Sequence, residues 1–303
     1  MSILVVGSVA LDTIKTPFGK ADKILGGSAV YFSISAINFA PVKIVAVAGE
    51  DFPKKHIRFL KNKHINIEGL KIEQGKTFYW EGEYGWDFSN PKTITTDLNV
   101  FANFNPKIPR SYQNSKYLFL ANIDPEIQIR VLNQVKNPKL IASDTMNYWI
   151  ENKRKELLKL LKRIDIFIIN ESESKELTNQ KNIIKAAKEI MKLGPEIVVI
   201  KKGEHGVLLF TKNHIFTAPA YLMESVSDPT GAGDTFAGGF IGYLAKIKRI
   251  DHENLRRATI YGTIMATFAV EDFSLRKLGK ISTIDIERRM RKFKKLTDFE
   301  IKP

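Results

Sequence analysis

The chain has 303 residues, 44% of them hydrophobic and 26% charged, which is typical of a globular protein and excludes a collagen-like or disordered chain. It has no cysteine, which excludes disulfides, thiolate metal sites and a cysteine nucleophile, and its five histidines show no HExxH or HxH spacing that would suggest a metal site. The formal charge of +14 is compatible with a nucleic-acid-binding protein, but the Lys and Arg residues are spread over almost every segment and interleaved with Glu, as on a lysine-rich surface.

Short apolar segments alternate with segments of helical periodicity along the chain. The predicted strands, in chain order, are 3–6, 43–47, 117–120, 140–143, 164–169, 197–200 and 207–210. The predicted helices are 29–39, 53–62 with Asp51 as its N-cap, 153–161, 183–191, 233–246 and 255–270. Because these strands lack polar alternation and are separated by helices, we predict an α/β fold with a mostly parallel sheet covered on both faces.

Residues 69–100 depart from this alternation, because they are rich in aromatic, Thr and turn residues and alternate with period two around residues 76–84. We predict an antiparallel β-hairpin inserted in the α/β chain, acting as a lid or as a dimer surface. The uncharged run 24–42 contains Gly, Ser, Asn and Pro and makes a poor membrane span, and the N-terminal residues lack the pattern of a signal peptide. We therefore expect a cytoplasmic protein.

The segment DPTGAGDTFAGGF at 228–240 carries the most chemical information. A helix is predicted to begin near Gly231, and free N–H groups at a helix N-terminus suit a phosphate. Asp234 falls in the first turn, where the helix dipole is expected to keep its carboxylate ionised. It could accept the proton of an attacking hydroxyl while backbone amides stabilise a transferred phosphoryl group. The alternative is an ordinary turn followed by a capped helix.

Other candidate site residues follow predicted strands, at the sheet edge where open α/β folds bind ligands. Asn170 and Glu173 follow a buried strand, but Asn with Glu three residues later also fits a capping box. Asp12 with the pair Gly26–Gly27 could hold substrate hydroxyls, although each is a common turn element. The hairpin 201–206 also has the composition of a simple turn.

Six segments occur in the order seen in the ribokinase-like (PfkB) kinases, and the chain resembles that family through them. They are GSVALD at 7–12, GGSAVYFSISA at 26–36, GED at 49–51, INESES at 169–174, KKGEHG at 201–206 and DPTGAGDTFAGG at 228–239. The resemblance extends from about residue 3 to residue 275, and DPTGAGD is its most specific part. It implies a single ribokinase-like domain over 1–303, a three-layer α/β/α sandwich with a small β-lid at about 69–100 and a candidate second part at 12–24.

The resemblance also implies roles for residues at matching positions. Asp234 would be the catalytic base, and the anion hole would consist of Gly231, Ala232 and Gly233. The hydroxyls of the acceptor would be held by Asp12, Gly26 and Gly27. Glu173 would act on Mg²⁺ through a water molecule, and the ATP site would include Asn170, Lys201, Lys202, Gly203 and Gly206. A monovalent cation near the anion hole is a further candidate, since some relatives bind one.

One position departs from the family pattern. Many members carry Asn at the fourth position after the glycine pair, and this chain has Tyr31 there. A sugar-binding amide is therefore absent, so the acceptor cannot be copied from ribokinase. We predict an ATP-dependent kinase acting on a hydroxyl of a small sugar or polyol such as inositol, with no nucleic-acid or membrane partner and with a homodimer through the lid as a candidate assembly. The alternatives are a nucleoside kinase on the same fold and a non-catalytic nucleic-acid-binding protein.

Overall fold

The fold is taken from a computed structural model that describes residues 1–88 and 91–298. Residues 89 and 90 of the predicted insertion and residues 299–303 of the predicted domain lie outside the described residues. In the described part of the chain, no helix has both the length and the apolar character needed to cross a membrane. The strands are β1 Ile3–Val6, β2 Ala10–Thr16, β3 Gly19–Gly26, β4 Val42–Gly49, β5 Asn66–Glu73, β6 Phe78–Glu83, β7 Lys92–Asp97, β8 Tyr117–Leu120, β9 Leu140–Asp144, β10 Ile166–Asn170, β11 Ile197–Lys201, β12 Val207–Thr211 and β13 Ile215–Ala218.

The helices are α1 Ser28–Ala36, α2 Lys54–Asn62, α3 Pro125–Leu132, α4 Asn147–Asn152, α5 Arg154–Leu161, α6 Glu171–Thr178, α7 Ile183–Lys192, α8 Ala232–Ile247, α9 His252–Val270 and α10 Thr283–Thr297. Every strand and helix predicted from periodicity has a counterpart among them. The short helices α3 and α4, the helix α6 and the charged helix α10 were not predicted, because their apolar positions are too few to give a clear helical period.

The large sheet contains nine of the strands of residues 1–88 and 91–298, in the order β13-β12-β11-β10-β9-β8-β1-β4-β5. The run from β11 through β1 to β5 is parallel, and β12 and β13 add antiparallel strands at one edge. The carboxyl ends of β1, β8, β9, β10 and β11 consequently lie along one edge of the sheet. Residues that follow these strands are brought together there, as open α/β folds require.

Helices cover both faces of this sheet. Successive side chains of a strand point to opposite faces, so each buried strand presents apolar side chains to the helices on both sides. In β1, Ile3 and Val5 belong to one buried apolar cluster, which also contains side chains of α1, α8 and α9. Leu4 and Val6 belong to a second cluster, which contains side chains of α3, α5 and α7. The predicted three-layer α/β/α sandwich is confirmed.

Glycines in α8 allow two neighbouring helices to approach closely. A Cβ on Gly238 would come 2.4 Å from the carbonyl oxygen of Phe32 in α1, and a Cβ on Gly239 would come 2.8 Å from Met265 in α9. Each glycine within a helix costs about 0.5–1 kcal/mol relative to alanine. The close approach of α1 and α9 explains why α8 keeps them.

A smaller sheet has the strand order β3-β2-β6-β7. The predicted antiparallel hairpin is confirmed for β6 and β7, and the segment 12–24 joins it through β2 and β3. Two features differ from the prediction. Residues 69–73 belong to β5, which pairs in parallel with β4 at the edge of the large sheet, and β6 pairs in parallel with β2. Both pairings join distant segments, so local alternation could not reveal them.

The predicted N-cap role of Asp51 is wrong. The N-cap position of α2 is Pro53, and the Asp51 carboxylate instead accepts hydrogen bonds from the backbone N–H and the hydroxyl of Thr77, at 2.7 and 2.6 Å. Asp51 therefore fastens the end of β4 to the segment that leads into the small sheet. The other predicted boundary errors are small, such as a first helix that ends at Ala36 rather than at residue 39.

Candidate active site

The N-terminus of α8 has the geometry of an anion-binding site. Gly231 is the N-cap residue, with a φ of 74° that suits glycine, and α8 begins at Ala232. Among the described residues, no acceptor is found for the N–H groups of Gly231 and Gly233, while Ala232 donates to the carbonyl of Pro229 at 3.2 Å. Two of the three predicted anion-hole amides are thus free, and that of Ala232 closes the turn.

Buried hydrogen bonds fix the loop that precedes α8. Asp228 is fully buried, and its carboxylate accepts from the backbone N–H of Thr230 at 2.9 Å and from that of Ser274 at 3.2 Å. The hydroxyl of Thr230 donates to the hydroxyl of Tyr84, just beyond the end of β6, at 3.1 Å. Asp228 therefore anchors the loop, and Tyr84 connects it to the small sheet.

Asp234 lies in the first turn of α8 and is half-buried. Burial raises the pKa of its carboxyl to about 6, against an opposing effect of the Lys201 ammonium. Burial thus acts in the direction opposite to the one expected from the helix dipole, and an ionised Asp234 at pH 7 stays a prediction. A carboxylate with a pKa slightly below neutrality is well suited to take up a proton at physiological pH.

Asp12, on β2, lies over the backbone of Gly26. A Cβ on Gly26 would come 1.8 Å from a carboxylate oxygen of Asp12, so only glycine leaves room for this carboxylate. Gly27 has a φ of 99° and is the N-cap residue of α1. The pKa of Asp12 is raised to about 8, mainly by burial and also by the charges of Asp228 and Asp234, against the lowering effect of a hydrogen bond from the Gly27 backbone. The structure therefore brings Asp12, Gly26 and Gly27 close to Asp234.

Asn170 and Glu173 form a reciprocal capping box at the start of α6. The Asn170 amide oxygen accepts from the N–H of Glu173 at 2.8 Å, and the Glu173 carboxylate accepts from the N–H of Asn170 at 2.9 Å. Burial raises the pKa of Glu173, and the Lys201 charge lowers it. The capping interpretation of this motif is correct, and among the described residues no hydrogen bond is found for the second carboxylate oxygen of Glu173.

Lys201 ends β11 directly beside Asn170, to which it is aligned in the parallel pairing of β10 with β11. The turn that follows is closed by a 2.8 Å hydrogen bond from the N–H of Lys202 to the carbonyl of Gly206. Gly203 and Gly206 both have positive φ, and Gly203 faces open space. The predicted hairpin 201–206 is confirmed and lies beside Asn170.

Asp144 was missed by the sequence analysis. It ends β9 and is buried, and within residues 1–88 and 91–298 its Oδ1 atom has no hydrogen-bond partner. Burial raises its pKa well above the usual range, Asp234 and Glu173 raise it further, and Lys201 lowers it. Its position was the signal that could have revealed it. Asp144 directly follows the predicted strand 140–143, at the sheet edge that also holds Asn170 and Lys201.

Three carboxylates and one ammonium group interact at this edge of the sheet: those of Asp144, Glu173 and Asp234, with Lys201. In the part of the chain that the structure describes, no group of three carboxylate or histidine side chains has the geometry of a complete metal site. Mg²⁺ usually keeps several waters and binds proteins through one or two carboxylates plus the phosphates of a substrate. The free oxygen of Asp144 and the second oxygen of Glu173 fit that requirement.

Comparisons with known proteins bear on the family and the fold of this chain. A family model described as pfkB family carbohydrate kinase matches residues 19–278. A cytidine kinase of Thermococcus kodakarensis is 33% identical over 248 residues, which cover 80% of this chain and 88% of that protein. The crystal structure of Methanocaldococcus jannaschii nucleoside kinase has a TM-score of 0.78 at 22% identity and covers 96% of this chain and 98% of that chain.

A further structure, from E. coli and described as a ribokinase II in complex with ATP and Mg²⁺, has a TM-score of 0.77 at 17% identity. It covers 96% of this chain and 99% of that chain. The two solved structures support the fold, and the family model together with the cytidine kinase establishes the relationship. The chain is a kinase and belongs to the pfkB family of carbohydrate kinases.

Proposed function

We propose that this chain is an ATP-dependent nucleoside kinase, which transfers the γ-phosphoryl group of ATP to a hydroxyl of a nucleoside. The similarity to the cytidine kinase, at 33% identity over 80% of the chain, is the observation that favours a nucleoside over the sugar or polyol expected from the sequence. The non-catalytic nucleic-acid-binding alternative is set aside, because the chain belongs to a kinase family.

In this proposal Asp234 is the general base. The acceptor hydroxyl attacks the γ-phosphorus, its proton passes to the Asp234 carboxylate, and the bond to the bridging oxygen breaks to release ADP. The N–H groups of Gly231 and Gly233, for which no acceptor is found among the described residues, stabilise the charge on the transferred phosphoryl group at the N-terminus of α8. Asp12 holds acceptor hydroxyls over Gly26 and Gly27.

The ATP phosphates lie in this proposal against Asn170, Lys201, Lys202, Gly203 and Gly206. Asp144 and Glu173 would hold Mg²⁺ through water, and the bound metal would neutralise phosphate charge. The E. coli neighbour solved with ATP and Mg²⁺ supports both ligands. A monovalent cation near the anion hole stays a prediction, and turnover in potassium compared with tetramethylammonium tests it.

We also propose that the small sheet is the lid of a single catalytic domain. Asp12 lies on its strand β2, and Tyr84 joins it to the loop before α8. Phe18 and Trp86 are 57% and 79% exposed and pack edge to face, with ring centroids 5.9 Å apart. This exposed aromatic pair supports a homodimer through the lid, which light scattering of the wild-type protein and of Trp86→Glu would detect.

An acceptor panel tests the proposed function. ADP release is measured with ATP and Mg²⁺ and with cytidine, adenosine, uridine, ribose, fructose or myo-inositol, and Asp234→Asn serves as the inactive control. We expect the highest kcat/KM for a nucleoside. A higher value for a sugar or for inositol would support the second candidate, a sugar or polyol kinase, which the carbohydrate-kinase family model favours.

A further inference from the structure

One cation of the C-terminal helix α10 is turned toward the protein interior. The side chain of Arg289 is 15% exposed, whereas that of its neighbour Arg288 is 73% exposed. Ile286 and Phe293 are buried on the same helix, and α10 packs against α9. Because position 289 is three residues after 286 and four before 293, Arg289 lies on the face that α10 presents to α9.

The guanidinium group of Arg289 makes three contacts with the C-terminal end of α9. It donates to the Thr267 hydroxyl at 2.6 Å and to the Glu271 carboxylate. Its Cζ atom lies 3.8 Å from the centroid of the Phe268 ring. A planar guanidinium can donate in two directions and stack on an aromatic ring at the same time, and a cation is favoured at the C-terminus of a helix. Arg289 therefore fixes the last turn of α9.

The same end of α9 holds the loop that leads into the anion hole. The carbonyl of Val270 accepts hydrogen bonds from the N–H groups of Ser227 and Asp228, at 2.8 and 3.4 Å. The carbonyl of Glu271 accepts from the Ser227 hydroxyl at 3.0 Å. The last carbonyls of a helix have no partner within the helix, and the loop supplies partners for these two. The position of the loop three residues before the N-cap of α8 thus depends on the end of α9.

Arg289 also contacts the beginning of this loop, which runs from residue 219 to Gly231. The ring centroid of Tyr221 lies 5.5 Å from the Arg289 Cζ atom and 6.1 Å from the centroid of the Phe293 ring. For residues 221–226, no backbone hydrogen bond is found in the described part of the chain. The loop is therefore attached at its two ends, and Arg289 links both attachments to α10.

We propose that Arg289 is a positioning residue for phosphoryl transfer: it fixes the loop 219–231 and, through that loop, the Gly231 and Gly233 amides of the anion hole. The inference rests on the role that the proposed function gives to these amides, and it holds for any acceptor. Arg289 acts through the end of α9 and through Tyr221, so it needs no contact with ATP or with the acceptor.

Arg289→Met removes the guanidinium and keeps an apolar stem that can pack on α9. We measure kcat and KM with the acceptor that gives the highest kcat/KM in the panel, well below the thermal midpoint of each protein. Because an anion hole displaced by about 1 Å can lose much of its effect, kcat should fall about tenfold to a hundredfold. KM for the acceptor should stay close to the wild-type value, since Asp12, Gly26 and Gly27 lie on other elements.

The affinities for ATP and ADP, measured by calorimetry, give a readout that a loss of stability alone does not change. The anion-hole amides serve the phosphoryl group that is transferred, which ADP lacks. Arg289→Met should therefore lose affinity for ATP and keep its affinity for ADP. A lower thermal midpoint with an unchanged kcat and an unchanged ratio of the two affinities would show a purely structural residue and overturn the proposal.

Arg288→Met is the matched control, because it removes the same charge from the next residue of the helix. Arg288 is exposed and pairs with Asp285 at 3.6 Å. The substitution should leave kcat and the ratio of ATP to ADP affinity unchanged, and an effect equal to that of Arg289→Met would contradict the proposal. Arg289→Lys keeps the charge but lacks the planar fork that reaches both Thr267 and Glu271, so kcat should recover only in part.

A double variant tests the path through α9. Glu271→Met removes the carboxylate that pairs with Arg289. If the two residues act through this contact, Glu271→Met combined with Arg289→Met should have about the kcat of Arg289→Met alone. If the two effects multiply instead, the residues act independently and the assigned path is wrong.

The outcomes separate this proposal from the proposed function. If the wild-type protein phosphorylates an acceptor and Arg289→Met equals it in kcat and in the ratio of ATP to ADP affinity, the link from Arg289 to the anion hole is wrong and the function stands. If no acceptor in the panel is phosphorylated, the proposed function is wrong. The ratio of ATP to ADP affinity in Arg289→Met then still decides whether Arg289 acts on the phosphate site.

Discussion

The ammonium group of Lys201 lies against Gly233, where a Cβ would come 2.6 Å from Nζ. This contact joins the end of β11 to the first turn of α8. The same ammonium lowers the pKa values of Asp234, Asp144 and Glu173, each of which burial raises. One lysine therefore keeps three crowded carboxyls closer to their ionised state, and it lies between the proposed phosphate site and the proposed base.

Asp234→Asn tests the general base. The amide keeps the shape of the carboxylate but cannot usefully take up a proton, so kcat should fall about 10²–10⁴-fold. ATP affinity measured by calorimetry should persist, because the residues around Asn170 and the backbone amides are untouched. The thermal midpoint should not fall, since Asp234 is a half-buried carboxylate with a raised pKa. Near-normal turnover by the variant would rule out Asp234 as the base.

The pH dependence of kcat/KM should have an acidic limb set by Asp234. Its carboxylate must be ionised to act as a base, so the rate should fall about tenfold per pH unit below pH 6 and be nearly constant just above 7. Lys201→Met removes the charge that holds this pKa down, so the limb should move to higher pH. A limb that stays in place in Lys201→Met would contradict the assigned interaction, provided that the variant is folded and saturated with ATP.

Asp12→Asn should make the free protein more stable at high pH. The pKa of Asp12 is about 8 in the folded protein, against an ordinary value of 3.8, so the folded state binds this proton more tightly than the unfolded chain does. Wild-type stability therefore falls as pH rises from about 4 to about 8, and the asparagine variant lacks this loss. Its thermal midpoint should exceed that of the wild type by a margin that grows over this range and is of the order of several degrees at pH 9.

Asp97→Asn is the control for this experiment, because Asp97 is an exposed aspartate on β7 of the same small sheet. It should leave the midpoint unchanged at every pH. The Asp12→Asn variant should also bind the acceptor more weakly, which separates the proposed function of Asp12 from its effect on stability. A midpoint difference that is constant with pH would show that Asp12 titrates normally.

Glu173→Gln separates capping from metal binding. Glutamine can still accept the hydrogen bond from the Asn170 N–H, so a purely structural Glu173 predicts near-normal activity. If Glu173 helps to hold Mg²⁺, loss of its charge should raise the Mg²⁺ concentration for half-maximal rate by about tenfold, with partial recovery of kcat at high Mg²⁺. Glu176→Gln, on the exposed side of the same helix, should leave the Mg²⁺ titration unchanged.

Tryptophan fluorescence should report closure of the lid. Trp86 is 79% exposed and contacts Phe18, and Trp80 is half-buried among apolar side chains of the small sheet. If the lid closes over the acceptor and excludes water, the emission of Trp86 should shift to shorter wavelength on addition of a substrate that is turned over. Trp86→Phe should lose most of this shift, whereas Trp149→Phe, on α4, should keep it. An unchanged spectrum at saturating acceptor would count against a moving lid.

The sequence by itself determined the alternation of buried strands and helices, because the apolar periodicity of each segment depends only on the residues of that segment. It also predicted an anion site with a carboxylate in the segment 228–234, since glycine composition and a helix start are recognised within a few residues. The capping box at Asn170 was equally local, and the structure contains it. The period-two alternation around residues 76–84 similarly predicted the hairpin of β6 and β7.

Only the tertiary structure decided which distant residues meet. The ring of Tyr31 against Gly231, the ammonium of Lys201 against Gly233 and the carboxylate of Asp12 over Gly26 are contacts set by strand order and helix packing. Asp144 joined the site because β9 lies between β8 and β10. The parallel pairing of β2 with β6 moved the segment 12–24 into the small sheet. Local periodicity specifies which face of a helix or strand is buried, but not which other element packs against that face. These contacts therefore depend on how all the elements of the chain pack together.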